Sequence, residues 1–201
     1  MKKCFLAISM MIVAICINAQ NEVGTVSIQP KVGFNIADIT NADESDPRFG
    51  IVAGAEFEYQ VTERLGLAAG LVYSAQGDKE SGTNANGINF KLTAQLDYIN
   101  IPIMANLYVA KGFAVKLGIQ PGFNLKDDYE VKGGGVTVSG SMSDLGVDIQ
   151  SFDFSVPVGL SYEYKKFVFD ARYNIGLTKI VDGDSSKNKV FQFTLGYKFN
   201  L

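Results

Sequence analysis

Glu56 and Glu58 stand two residues apart, which puts both carboxylates on one face of an extended chain, where a paired acid and base could work on a substrate. The simpler reading is that such neighbours answer lysine or arginine across a narrow interior. Asp182, Asp184 and Ser186 alternate like the opening of a calcium loop. Lys187 stands where that loop needs glycine and Phe193 where it closes on glutamate, so a polar turn is expected instead. Asp43, Glu44 and Asp46 likewise read as a solvated loop. The chain has no histidine, and its two cysteines are Cys4 and Cys16, near the N-terminus. Ser–His nucleophile pairs, His-ligated metals and, once those cysteines are removed, thiol chemistry are therefore closed to it. No enzymatic activity, cofactor or metal is expected.

The remaining charges are more telling by position than by type. Lys31, Glu56, Glu58, Lys116, Asp153, Glu163, Asp170, Arg172 and Lys198 all fall on the polar side of alternating segments. If that side faces a narrow lumen, the charges must pair or be hydrated, because an isolated buried charge is strongly unfavourable. Such a polar network serves either a selective pore or a salt-bridged plug. The plug is expected, since side chains can fill the interior of an eight-stranded barrel.

The elements that would position these residues show period-two alternation. It recurs in eight blocks, at 27–38, 49–61, 65–76, 90–109, 113–126, 152–164, 167–177 and 189–199. In the last block Phe191, Phe193, Leu195, Tyr197 and Phe199 oppose Gln192, Thr194, Gly196 and Lys198. Each block can supply the roughly 9 to 11 tilted residues that cross a bilayer. Short links at 61–64, 109–112 and 165–166 alternate with long ones at 39–48, 77–89, 127–151 and 178–188. This is the pattern of a barrel with periplasmic termini, tight inner turns and longer outer loops. Within 127–151, three glycines followed by Val136, Thr137 and Val138 suggest a protruding hairpin. In the fourth block Leu96 and Tyr98 have one parity and Ile99 to Leu107 the other, so a bulge or strand extension is expected near Asp97 and Tyr98. Pro30, Pro102, Pro121 and Pro157 are expected to interrupt their ladders.

Alternation alone also fits a soluble periplasmic lipocalin-like carrier with its apolar face inward. The glycines argue for the reverse. Gly33, Gly50, Gly54, Gly66, Gly70, Gly118, Gly122, Gly159, Gly176 and Gly196 share the polar parity, which suits a crowded lumen rather than a solvent face. Tyrosines near strand ends, such as Tyr59, Tyr162 and Tyr197, suit the membrane interface.

Lys2 and Lys3 precede an apolar run over 5–17, and Ala19 offers a cleavage site, so residues 1–19 read as a cleavable secretory signal and 20–201 as one barrel domain. Both cysteines leave with the signal. Losing Lys2 and Lys3 takes the basic residues from 18 to 16 against 21 acids, and 16 minus 21 gives a formal charge of about −5. That balance argues against a nucleic-acid partner.

Gly33-Phe-Asn35, Tyr98-Ile-Asn-Ile-Pro102, Arg172-Tyr-Asn-Ile-Gly176 and Leu195-Gly-Tyr-Lys-Phe199, in this order, resemble the PorT-like outer-membrane β-barrel family of Bacteroidota. The resemblance implies an all-β, eight-stranded antiparallel up-and-down barrel in the outer membrane, inserted by the barrel-assembly machinery, with Tyr197 and Phe199 in the insertion signal. The expected function is structural, or loop-mediated binding of an extracellular ligand or envelope protein. A narrow channel for small solutes or ions is the alternative.

Overall fold

The computed structural model describes residues 22–40, 45–83, 89–181 and 185–201. The expected signal over 1–19, Asp43 and Glu44, and Asp182 and Asp184 of the calcium-like turn lie outside the described residues. Twelve strand segments form one antiparallel sheet. They are β1 (Val26–Ile39), β2 (Ser45–Thr62), β3 (Leu65–Gln76), β4 (Asp78–Thr83), β5 (Asn89–Asn100), β6 (Ile103–Ala110), β7 (Phe113–Gly133), β8 (Val136–Ser141), β9 (Phe152–Tyr164), β10 (Phe167–Gly176), β11 (Asn188–Tyr197) and β12 (Phe199–Asn200). No described helix is long and apolar enough to cross a membrane.

The sheet closes on itself. β1 pairs with β2 on one side and with β11 on the other, Lys31 opposite Gly196 and Ile39 opposite Asn188. The circuit runs on through β3, β5 with β6, β7, β9 and β10 back to β11. Three tight turns join β2 to β3, β6 to β7 and β9 to β10, the last two with Gly112 and Lys165 at φ +71° and +59°.

Twelve segments stand where eight blocks were expected, for local reasons. β3 and β4 are one course bent at Gly77, whose φ is +117°. β5 and β6 are parted at Ile101 and Pro102, and β11 and β12 at Lys198. Each proline meets a gap on the side where its missing N–H would have donated. Pro30 pairs with Ala55 but faces the β11/β12 break, and Pro157 pairs with Asn174 but faces an unpaired stretch of β7. Pro121 pairs with Phe154 and faces the β5/β6 break, where its carbonyl accepts the Ile101 N–H at 2.8 Å. Ladder donors are thus lost only where the ladder is already open.

The apolar face points outward, the reverse of the lipocalin-like alternative. Ile51 is 65% exposed, and Leu71, Leu117 and Phe169 are also exposed, whereas Lys31, Glu56, Lys116, Asp170 and Arg172 are at most 4% exposed. From Phe49 to Tyr59 the outward row of β2 spans roughly 34 Å along the strand, which a tilt of about 45° reduces to about 25 Å, the height of a lipid-facing band. Stacked cross-strand pairs Phe34–Phe193 and Tyr173–Phe191, with centroids 5.3 and 4.4 Å apart, and the edge-on pair Phe167–Tyr197 tie the band together around β1, β10 and β11.

Two long links carry strand rather than loop. β4 occupies much of the expected 77–89 link. β7 continues to Gly133, and β8 returns beside it through a turn with Gly134 and Gly135 at φ +59° and +81°, a hairpin of the kind expected. β5 does not change phase: Ala94, Leu96, Tyr98, Asn100, Met104, Asn106 and Tyr108 all point inward. The irregularity near Asp97 lies on β7, where Leu125 is the extra residue between the Asp97–Lys126 and Tyr98–Asn124 pairs. What changes there is the chemistry of each face. Below it, Ile99 and Phe123 point outward; above it Thr93, Gln95 and Asp128 do, while Leu92, Tyr129 and Val131 take the inward side. A reversal of this kind marks the outer limit of the hydrocarbon. Leu71→Arg, inside the band, should cost about 2–4 kcal/mol in urea unfolding from lipid vesicles. Thr93→Lys, on the outward face above it, should stay within about 0.5 kcal/mol.

Candidate functional site

The lumen is packed in layers. At its centre Arg172 of β10 donates to both Glu56 oxygens at 2.6 and 2.7 Å and to both Asp170 oxygens at 2.7 and 3.0 Å. Lys116 of β7 donates to Asp170 at 2.6 Å, and Lys31 of β1 donates to Glu56. Five charges from four strands thus brace the wall across its width. A bidentate guanidinium suits the role because its donors are fixed in a fork that matches a carboxylate. Two glycines make the space: a Cβ on Gly70 would lie 2.6 Å from the Glu56 Cγ, and one on Gly159 would lie 2.9 Å from the Arg172 Cγ.

A second cluster sits nearer the termini. Lys198, at the break between β11 and β12, donates to Glu58 at 2.8 Å, to the Tyr108 hydroxyl at 3.0 Å and to Glu163 at 3.2 Å. Tyr108 in turn donates to Glu58 at 2.7 Å, and the Asn106 amide also donates to Glu58. A polar vestibule of about 180 Å³, lined by Ser27, Gln60 and Asn200 among others, ends on this cluster.

Toward the outside the lumen turns neutral and then apolar. The Asn35 amide donates to the Ser74 hydroxyl at 2.8 Å, and Gln76 donates to the same oxygen at 3.0 Å. Asp153 accepts from the Thr178 hydroxyl at 2.8 Å and makes no ion pair among the described residues. Above this layer Leu96, Tyr98 and Ile180 form a buried cluster with Ile39, Ile149 and Val181 packed on it. The segment that supplies Ile180 is laced down: Gln150 N–H donates to the Ile180 carbonyl at 2.7 Å, and Ile180 N–H donates to the Ser186 carbonyl at 2.9 Å.

Of the nine charged residues singled out by parity, five form the central brace and three the lower cluster, with Glu163 at its margin and a side chain about 21% exposed. Asp153 lies apart from both. Sequence reasoning missed Tyr108, Asn106 and the apolar stopper. Their signal was the unbroken inward parity from Ala94 to Ala110, obscured by Leu96 and Tyr98 being apolar on a side assumed polar.

Beyond the wall, β4, β5, β7 and β8 form an outer sheet, joined by the first residues of β2. Its outward face is polar, with Lys126 on Asp128 and Lys132 on Glu130, each at 2.8 Å. Burial, and then the neighbouring Asp38 and Glu80, push the Asp78 carboxyl above its usual range. Among the described residues no group of three or more acidic, histidine or cysteine residues is placed to hold a metal ion.

The family model described as "Outer membrane protein beta-barrel domain" matches residues 18–182. Among solved structures, the attachment invasion locus protein Ail of Yersinia pestis is 15% identical with a TM-score of 0.48, over 89% of this chain and 100% of that one. Neisserial surface protein A is 16% identical with a TM-score of 0.46, over 88% and 97%. OprG of Pseudomonas aeruginosa is 14% identical with a TM-score of 0.45, over 91% and 99%. None of the curated proteins matches the chain.

Removing one member of the central brace strands the others. Arg172→Met should cost about 3–5 kcal/mol of unfolding free energy in vesicles, because Glu56 and Asp170 lose their shared partner. At Asp78 the folded state disfavours the charge, so that penalty is present above its raised folded value and vanishes below about pH 3.9, the unfolded value. Asp78→Asn should therefore raise the urea midpoint at neutral pH and lose that advantage as the pH falls through this window.

Proposed function

Because the chain belongs to the outer membrane protein β-barrel domain family, we propose that it is a non-enzymatic, integral outer-membrane barrel that stops its own lumen and does its work through the sheet and loops it raises outside the cell. The observation that carries this reading is the filled interior. Ion-paired clusters, an amide layer and an apolar stopper succeed one another from vestibule to outer mouth, which leaves the wall as scaffold and the outer sheet as working surface. This favours a plug over the alternative of a narrow channel.

We count eight membrane-crossing courses, taking β3 with β4, β5 with β6 and β11 with β12 as single strands and β8 as the return of a hairpin from β7. The ordered phrases from Gly33 to Phe199 support a place among the PorT-like barrels of Bacteroidota. A cleavable signal over 1–19 would deliver the chain to the periplasm. The closing aromatics Tyr197 and Phe199, 4.7 Å apart between ring centroids, support a role in recognition by the barrel-assembly machinery. The partners of the finished barrel are then outer-membrane lipid around the band and an extracellular ligand or envelope protein at the outer loops.

Purified barrel in planar bilayers should give no steady current, and liposomes carrying it should not swell in small sugars. A steady, ion-selective conductance would replace this reading with the channel. In intact cells a surface protease should cut within 127–151, and protection of that segment in cells, with cleavage only after lysis, would contradict an outward-facing sheet.

A further inference from the structure

β7 leaves the barrel wall as a continuous strand to Gly133, and β8 pairs back along Asp128 to Gly133. Among the described residues no strand pairs with the other edge of β8. Exposed edges are ordinarily guarded by lysine, proline, a bulge or a covering segment. Val136–Ser141 has no charge and no proline, and its ladder with β7 has no bulge; only at its end does the following turn reach it, where the Ser141 N–H donates to Asp144 at 3.1 Å.

The side chains on either side of this edge are patterned for continuation. Val136 stands beside Gly133 and Phe90 on one face, and in the next row Val138 stands beside Val131 and Leu92. These apolar rows end at β8, where Val136 is 62% and Val138 52% exposed. Thr137 and Ser139 occupy the other face.

We propose that the free edge of β8 is a docking edge, which takes an extended segment of a partner protein as one further antiparallel strand. Backbone hydrogen bonds supply the attachment. Residues of the segment opposite Val136 and Val138 are apolar and extend the two rows, while those opposite Thr137 and Ser139 are polar. Asp127, Asp128, Glu130 and Asp144 outnumber Lys91, Lys126 and Lys132 around the edge, so basic flanks on the segment match the local charge. The occupant is a different protein because copies in one membrane all run β8 from the Gly135 turn back toward the barrel. Side by side they offer one another only parallel pairing, the weaker arrangement per residue. The proposal rests on the reading that the outer sheet is the working surface.

The test uses isotope-labelled full-length barrel in lipid nanodiscs and a blocked eight-residue peptide of alternating threonine and valine with a lysine at each end. Amide signals of residues 136–140 should shift, and hydrogen exchange should slow at those whose N–H faces away from β7. A peptide of the same composition with its valines in one block should bind about tenfold more weakly or worse, and so should the intact peptide to Val138→Lys, whose heat-dependent gel mobility verifies folding. Absence of slowing at about 1 mM peptide, equal binding by Val138→Lys, or equal binding of the block peptide overturns the proposal. Slow β8 amides in peptide-free protein of dimeric mass assign the edge to a second copy and also overturn it. Conductance refutes the closed lumen without moving these amides, so the two readings fail separately.

Discussion

The pairing of β1 with β11 is the contact on which the rest depends. In hydrocarbon an unpaired backbone N–H or carbonyl costs several kcal/mol, and an open sheet has two edges full of them. Nine consecutive register pairs from Lys31–Gly196 to Ile39–Asn188 remove both edges at once. Closure then dictates which side chains go where. Each strand has one face to the surroundings and one to a narrow interior, and period-two alternation sorts residues between them except where a bulge such as that at Leu125 resets the phase.

The interior is the reverse of a soluble core. Dispersion with lipid satisfies the outward Phe, Leu and Ile, so the stability of the inside must come from polar groups that satisfy one another. Arg172, Glu56, Asp170, Lys116 and Lys31 do this at the centre, and Lys198, Glu58, Glu163 and Tyr108 do it near the termini. Such charges are expensive to bury singly and tolerable only as complete sets. The five central charges form such a set. Beyond the wall β4, β5, β7 and β8 extend the same sheet.

Much of this was legible in the chain because membrane and lumen impose opposite demands on alternate residues. The strand blocks, the tight turns, the inward glycines and the charges of the two clusters follow from parity alone. Parity could not say which charges meet: Arg172 and Glu56 are 116 residues apart and are brought together only by closure. It also misled at Leu96 and Tyr98. An apolar residue on the polar side looked like a slipped phase, but beyond the hydrocarbon the inward side is sheltered and the outward side is wet, so the preferred chemistry of the two sides exchanges. Leu125 sits at that exchange, and the outer segment at β4 was hidden because its run of charged residues, serine and glycine resembles a loop.

The central claim is that one continuous course, β5 into β6, passes from water into lipid with its outward parity unchanged. In a chain whose two cysteines, Cys4 and Cys16, are replaced by serine, single cysteines can be introduced for nitroxide labels at each position from Phe90 to Leu107. Accessibility to oxygen and to a water-soluble nickel complex is then measured in bilayers. The account predicts high oxygen accessibility at 99, 101, 103, 105 and 107, high nickel accessibility at 91, 93 and 95, and low values for both at 96, 98, 100, 104 and 106. Oxygen maxima at the even positions, or nickel access throughout, would contradict it.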